Sequence, residues 1–275
     1  MAYGSALITG ASSGIGTAFA KMLPPATDLL LTGTSEDRLR RVAAPLASPT
    51  RHVDWLAADL ATAAGRAAVI ERARSERIDL FICNAGMGQA GKFLETTLAA
   101  QRQMLAVNVL AVVELLHGLV PDMLARARQR RQRAGVVVVS SMAAFGTAPG
   151  FASYGASKAL ELRLAQSLAA ELEEEPIDVL ALCPTYTDTA FFARAGLATP
   201  SRAMPAEAVA REALDALGRR TMHLCSLHRY PQAIRQFAAF NPALAAWRWP
   251  AQIAARLGLG AVWHHTAPRA ATKLR

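Results

Sequence analysis

The chain has 275 residues, 52% of them hydrophobic and 19% charged, which is enough apolar material for one large α/β core and excludes disorder, collagen and coiled coil. Its formal net charge of +9 is localised: residues 1–215 hold 21 Lys/Arg against 21 Asp/Glu, whereas residues 216–275 hold nine Lys/Arg and no acid. Three widely spaced cysteines, Cys83, Cys183 and Cys225, include no Cys-x-x-Cys pair. That spacing argues against a disulfide framework or a zinc site and for a reducing, cytoplasmic compartment.

Met1 to Leu7 lack a basic segment ahead of an apolar run, so no secretory signal is expected. Short apolar runs predict strands at Ser5–Thr9, Leu29–Thr32, Val53–Ala57, Leu80–Asn84, Val136–Ser140 and Val179–Cys183. Between them, amphipathic patterns predict helices at Ile15–Leu23, Asp37–Leu46, Ala61–Arg74, Leu98–Arg131 and Tyr154–Glu174. The apolar run from Ala106 to Val120 carries Asn108, Glu114 and His117, so no membrane-spanning helix is predicted there. Strict alternation of this kind, with strands apolar on both faces, predicts a doubly wound parallel sheet of the Rossmann type.

After Pro205 come a helix, Ala206–Leu217, and a short strand, Met222–Leu227. The division expected is one α/β domain over residues 1–227 and a basic, aromatic helical extension over 228–275. Pro231–Leu259 reads as one or two amphipathic helices broken near Pro242 and Pro250. This tail admits three readings: a cap over the substrate site, a membrane-surface amphipathic helix with a Trp-rich basic face, or plain packing on the domain, partly over the apolar loops at Phe191 and Phe192. Packing over those loops is the expectation.

The first strand ends in Thr9-Gly10-Ala11-Ser12-Ser13-Gly14-Ile15-Gly16 and opens a helix. Glycines there permit a sharp turn and let a pyrophosphate approach free N–H groups at the helix start. Asp59 reads as a helix N-cap. Cys83 and Cys183 read as small core hydrophobes. The six histidines, His52, His117, His223, His228, His264 and His265, show no ligand spacing with an acidic or cysteine partner, so no metal is assigned. Arg126, Arg128, Arg130, Arg131 and Arg133 read as a solvated helix end rather than a nucleic-acid surface.

The glycine loop resembles the cofactor loop of the short-chain dehydrogenase/reductase family. Asp59-Leu60, Asn84-Ala85-Gly86, Asn108, and Ser141, Tyr154 and Lys158 spaced as Ser-x12-Tyr-x3-Lys follow in that family's order. The resemblance implies an NAD(P)-dependent oxidoreductase with a catalytic tetrad of Ser141, Tyr154, Lys158 and Asn108. Gly10, Ser12, Ser13, Gly14, Ile15, Gly16, Asp59, Leu60, Asn84, Ala85, Gly86, Tyr154 and Lys158 would hold the cofactor. Tyr154 and Lys158 share a helix face at a spacing of four. A free phenol ionises near ~10, and lowering that by ~3 units takes ~4 kcal/mol of preferential phenolate stabilisation, which an ammonium and a positive nicotinamide ring can supply.

The second strand ends in Gly33-Thr34-Ser35, without the carboxylate that would accept from a ribose 2′-hydroxyl. Thr34, Ser35 and Arg38 can donate to a 2′-phosphate, so NADP(H) is favoured over NAD(H); Ser35 also reads as a helix N-cap. After the sixth strand the common Pro-Gly is replaced by Pro184-Thr185-Tyr186-Thr187-Asp188-Thr189, with Pro184, Thr187 and Thr189 expected at the cofactor. The long basic tail is similar to that of longer-tailed bacterial DltE-like reductases. Met87, Met142, Phe145, Phe151, Tyr186, Phe191 and Phe192 are expected to line the substrate site, which implies a small hydrophobic ketone, aldehyde or alcohol. A homodimer built on the two long helices is expected. An NAD-linked alcohol dehydrogenase and a non-catalytic nucleotide sensor are the alternatives.

Overall fold

A computed structural model describes residues 3–201 and 203–225. Seven strands form one parallel sheet: β1 Ser5–Thr9, β2 Asp28–Gly33, β3 Val53–Ala57, β4 Leu80–Cys83, β5 Ala134–Val139, β6 Ile177–Cys183 and, last in chain order, Met222–Leu224. Two further two-residue strands, β7 Thr187–Asp188 and β8 Met204–Pro205, pair with each other, which makes Met222–Leu224 β9. The order across the large sheet is β3-β2-β1-β4-β5-β6-β9. The chain therefore winds outward from β1 in one direction and from β4 in the other. A crevice opens at the carboxyl ends of strands where the winding reverses, the place such sheets use for ligands.

Side chains alternate across the sheet, although almost every position is buried. Ala6, Ile8, Leu29, Leu31, Leu80 and Ile82 face one core cluster, which α1 (Gly14–Met22), α2 (Glu36–Ala43) and α8 (Ala206–Ala216) cover. Leu7, Leu30, Phe81, Val136 and Val138 face the other, under α3 (Ala63–Ser75), α5 (Ala111–Arg130) and α6 (Ala152–Glu171). With both faces covered, the strands read in sequence as unbroken apolar runs.

Several expectations are corrected. The helix expected over Leu98–Arg131 is present over Leu98–Arg130 with one refinement: it runs as α4 (Leu98–Leu105), a π-turn at Ala106–Leu110 that contains Asn108, and α5. One extra residue per turn there swings Asn108 inward, fully buried. By length and composition Leu98–Arg130 would suit a membrane, but half of its most apolar window is buried inside the protein. Helix α3 starts at Ala63, because Thr62 rather than Asp59 caps it, its hydroxyl accepting from Gly65 N at 3.0 Å. Asp59 instead accepts from Ala61 N in the preceding turn. Ser35 stands at the N-cap of α2 but makes no side-chain cap bond.

The arginine run is not simply solvated. Arg126 donates to Ile78 O at 2.7 Å, Arg128 pairs with Glu175, and Arg133 pairs with the buried Asp178 at 2.8 Å. Arg131 terminates α5 in the left-handed region, at φ 53°. The histidine reading also changes: the fold brings Glu212 to His223, with Nε2 and Oε2 2.9 Å apart, and Cys225 beside them. Residues 226–275 lie outside the described residues, and with them the end of the last predicted strand and every expectation for the tail.

Candidate active site

The glycine loop between β1 and α1 is forced by close packing. Gly14 sits at φ +57°, and a Cβ there would lie 2.8 Å from Thr189 Cγ2. A Cβ on Gly16 would stand 2.4 Å from Gly10 O, so α1 could not approach the turn with any side chain at that position. Asn84 locks the turn from the end of β4: its Nδ2 donates to Thr9 O at 2.9 Å, while its own N–H and that of Ala85 donate to Thr9 Oγ1. Helix α1 begins without a side-chain cap and without an acid in its first turn. Its first N–H groups are thus left for an external anion, and the loop fits a dinucleotide pyrophosphate.

Beside this loop runs a cavity of about 680 Å³ along the carboxyl ends of the strands. Gly10, Ser12, Ser13, Gly14, Ile15, Thr34, Arg38, Asp59, Leu60, Asn84, Ala85 and Gly86 line one part of it. Ser141, Tyr154, Lys158, Pro184, Thr187 and Thr189 line the other, with Met87, Met142, Phe151, Tyr186, Phe191 and Phe192. Four expected residues stand off the lining. Gly16 and Asn108 are buried behind it, Ser35 lies outside it, and Phe145 packs on the hydrophobic core beneath α6.

Ser141 follows β5 and caps the single 3-10 turn Met142–Phe145, its Oγ accepting from Ala143 N at 3.1 Å. Helix α6 is pinned to the same strand end: Ser140 Oγ donates to Lys158 O at 2.7 Å and Lys158 Nζ donates to Val139 O at 3.0 Å. Those ties bring the Tyr154 phenol beside Ser141, whose side chain favours its ionised form. Lys158 Nζ stands 5.9 Å from the centre of the Tyr154 ring. Burial raises the phenol above its usual ionisation range, against the opposing pull of Lys158 and Ser141. Asn108 Oδ1 accepts from Met87 N at 2.8 Å, and its Nδ2 donates to Met87 O at 2.9 Å and to Ser157 Oγ at 3.0 Å. It thereby joins the loop after β4 to the helix that carries Tyr154 and Lys158.

Aromatic rings wall the phenol. Phe151 and Phe191 lie 5.8 and 5.5 Å from the Tyr154 ring, and Phe192 continues the row from Phe191 to Tyr186. Sequence reasoning missed Arg194, at the end of α7 (Phe191–Arg194), which enters the cavity and donates to Ser13 Oγ at 3.2 Å. Only its place a few residues after Thr189 pointed to it. Glu161 was also missed: it is buried and bonded to Lys158. Its position three residues past Lys158 gave a faint signal, since a charge there falls on the inner face of α6.

The fold and the site define a doubly wound dinucleotide-binding domain with a tyrosine and a lysine poised over its crevice. The family of short chain dehydrogenases matches residues 5–198. A Streptomyces exfoliatus relative, 1-deoxy-11-beta-hydroxypentalenate dehydrogenase, is 34% identical over 236 residues, covering 81% of this chain and 82% of its own. Among solved structures, a short-chain dehydrogenase from Sphingobium yanoikuyae in complex with NADPH aligns with a TM-score of 0.74 at 32% identity, over 94% of this chain and 95% of that one. The bulky-bulky ketone specific alcohol dehydrogenase from Comamonas testosteroni aligns with a TM-score of 0.70 at 27% identity, over 88% and 93%. The chain belongs to the short-chain dehydrogenase/reductase family of NAD(P)-dependent oxidoreductases.

Proposed function

We propose that the protein interconverts a bulky hydrophobic ketone or aldehyde and its alcohol, with NADP(H) preferred over NAD(H). The observation that carries this reading is the Tyr154 phenol, set beside Lys158 and Ser141 in an aromatic-walled cavity. When bound, the cofactor supplies a hydride to the carbonyl carbon. Tyr154 Oη gives its proton to the carbonyl oxygen as that oxygen gains charge, and the Ser141 hydroxyl donates a hydrogen bond to the same oxygen. Lys158 would stabilise the resulting phenolate and would turn one of its N–H groups to the cofactor ribose, and Asn108 keeps the loop after β4 in step with α6.

The NADP(H) preference draws on Thr34 and Arg38 at the cavity wall, on Arg194 facing them, and on the missing acid after β2. The S. yanoikuyae relative bound to NADPH supports the same choice. The aromatic wall and the names of the C. testosteroni and S. exfoliatus relatives support a bulky substrate. The three buried free thiols are in keeping with a cytoplasmic setting.

Steady-state oxidation of NADPH against a panel of bulky aryl, terpenoid and steroid ketones tests the proposal. Turnover that vanishes in Tyr154→Phe is the expected result. Cofactor binding without turnover of any carbonyl would instead favour a nucleotide sensor, and equal dissociation constants for NADPH and NADH would remove the cofactor preference.

A further inference from the structure

Glu161 lies three residues beyond Lys158 on α6, and only 1% of its side chain is exposed. Lys158 Nζ donates to both of its carboxylate oxygens at 2.9 Å, and no other hydrogen bond reaches them from the described residues. The same ammonium donates to Val139 O and stands beside the Tyr154 ring. The catalytic lysine is thus one half of a buried ion pair. Such a pair is a poor device for stability, because the cost of desolvating two charges offsets most of their attraction, and an apolar side chain would fill the space as well. What the pair does alter is the charge that Tyr154 senses.

We propose that Glu161 is a positioning residue for proton transfer at Tyr154: it fixes the Lys158 ammonium against the end of β5 and subtracts from the positive field which that ammonium casts on the phenol. The inference rests on the proposed role of Tyr154 as proton donor and adds to it a residue outside the tetrad. Burial pushes the Glu161 carboxyl up to about 7, although Lys158 pulls the other way. Lys158 is held above the usual ammonium value, because Glu161 and Tyr154 together outweigh its own burial. The ammonium therefore stays charged, and the carboxyl is the member that titrates across neutrality.

The other ionisable groups that face the pair are Tyr154 on the same helix, Cys83 at the end of β4 and Cys183 at the end of β6. Burial pushes both thiols up, Cys183 to about 12, so neither adds charge near neutral pH. Below neutrality Glu161 is uncharged and the unopposed ammonium eases ionisation of the phenol. Above neutrality the carboxylate opposes it and holds the phenol protonated. The device keeps Tyr154 a proton donor, and so favours carbonyl reduction, at the pH of a cytoplasm.

The test is an ultraviolet difference titration of the phenol in the folded protein, each form measured against the same form carrying Tyr154→Phe. Glu161→Gln should move the Tyr154 midpoint down by about one pH unit, and Glu161→Asp, which keeps the charge, should restore it towards the wild-type value. An unmoved midpoint in Glu161→Gln, with only a lower Tm, would overturn the proposal and leave Glu161 a packing residue. Alcohol oxidation gives a second readout: its rate should climb with pH and flatten near 7 in the wild type, and climb without that break in Glu161→Gln. A break that persists in the Gln variant also overturns the proposal. The titration needs no substrate, so absence of turnover in every form would sink the oxidoreductase reading while the phenol midpoint still decides the role of Glu161.

Discussion

Arg194 Nη1 donates to Ser13 Oγ at 3.2 Å, joining residues 181 positions apart in the chain. The bond lays α7 against the open N-terminus of α1, where an anion is expected. Burial and the nearby charge of Arg38 both lower the ionisation of Arg194, and neither arginine has a carboxylate partner among the described residues. Two cations on one cavity wall, neither paired with a carboxylate among the described residues, suit a phosphate ligand.

Arg194→Gln should therefore weaken NADPH. A charge-assisted hydrogen bond contributes about 1.5–3 kcal/mol, or roughly ten- to a hundredfold in the dissociation constant. If Arg194 reads the 2′-phosphate, NADH affinity changes far less, and fluorescence titration with each cofactor measures the difference. Equal losses for both would place Arg194 on the pyrophosphate instead. Thr34→Asp is the companion variant, expected to penalise NADPH alone through charge repulsion.

Tyr154→Phe should keep cofactor affinity and lower turnover by about a hundredfold or more, the scale of general acid catalysis. Because burial holds the phenol above its usual range, the acid form persists through neutral pH. The kcat/KM for reduction should accordingly show no loss from phenol ionisation through neutral pH, whereas oxidation, which needs the phenolate, should rise with pH apart from the break expected near 7. A reduction rate that halves near pH 7 through ionisation of Tyr154 would contradict this.

Asn108→Ala removes a side chain that satisfies both the N–H and the carbonyl of Met87. Two partly buried backbone groups would lose that partner, at a cost of up to about 1–3 kcal/mol each. Thermal unfolding should register that loss, and turnover should fall with it as the loop after β4 drifts from α6. Unchanged Tm with normal kinetics would show that the π-turn holds its shape without the amide.

The long helices present apolar side chains to solvent: Leu98, Leu110 and Val113 on the α4–α5 stretch are 64%, 50% and 42% exposed, and Leu160 on α6 is 38% exposed. A second copy of the chain is the expected cover for such a surface. Sedimentation velocity should find a dimer at micromolar concentration, converted to a 29.2 kDa monomer by Leu110→Glu with Val113→Glu. A monomer in the wild type would refute the dimer.

The sequence by itself determined the strands, the glycine turn and the shared helix face of Tyr154 and Lys158. Each of these rests on local rules: apolar runs for strands covered on both faces, a turn that only glycine can make, and a spacing of four along one helix. It also pointed to most of the cavity wall, because residues that follow strand ends converge wherever parallel strands end together. Only the tertiary structure decided the direction of individual side chains. Phe145 follows a strand end like Met142, yet it packs, partly buried, against the core instead of lining the cavity. Asn108 reaches Met87 because a π-turn rotates it inward, and no period-3.6 pattern records a single widened turn. His223 on Glu212 and Arg194 on Ser13 are likewise set by which elements the fold brings together. Such pairs are invisible in a linear pattern because a charge's partner is fixed by distance in space, and chain separation carries no information about that distance.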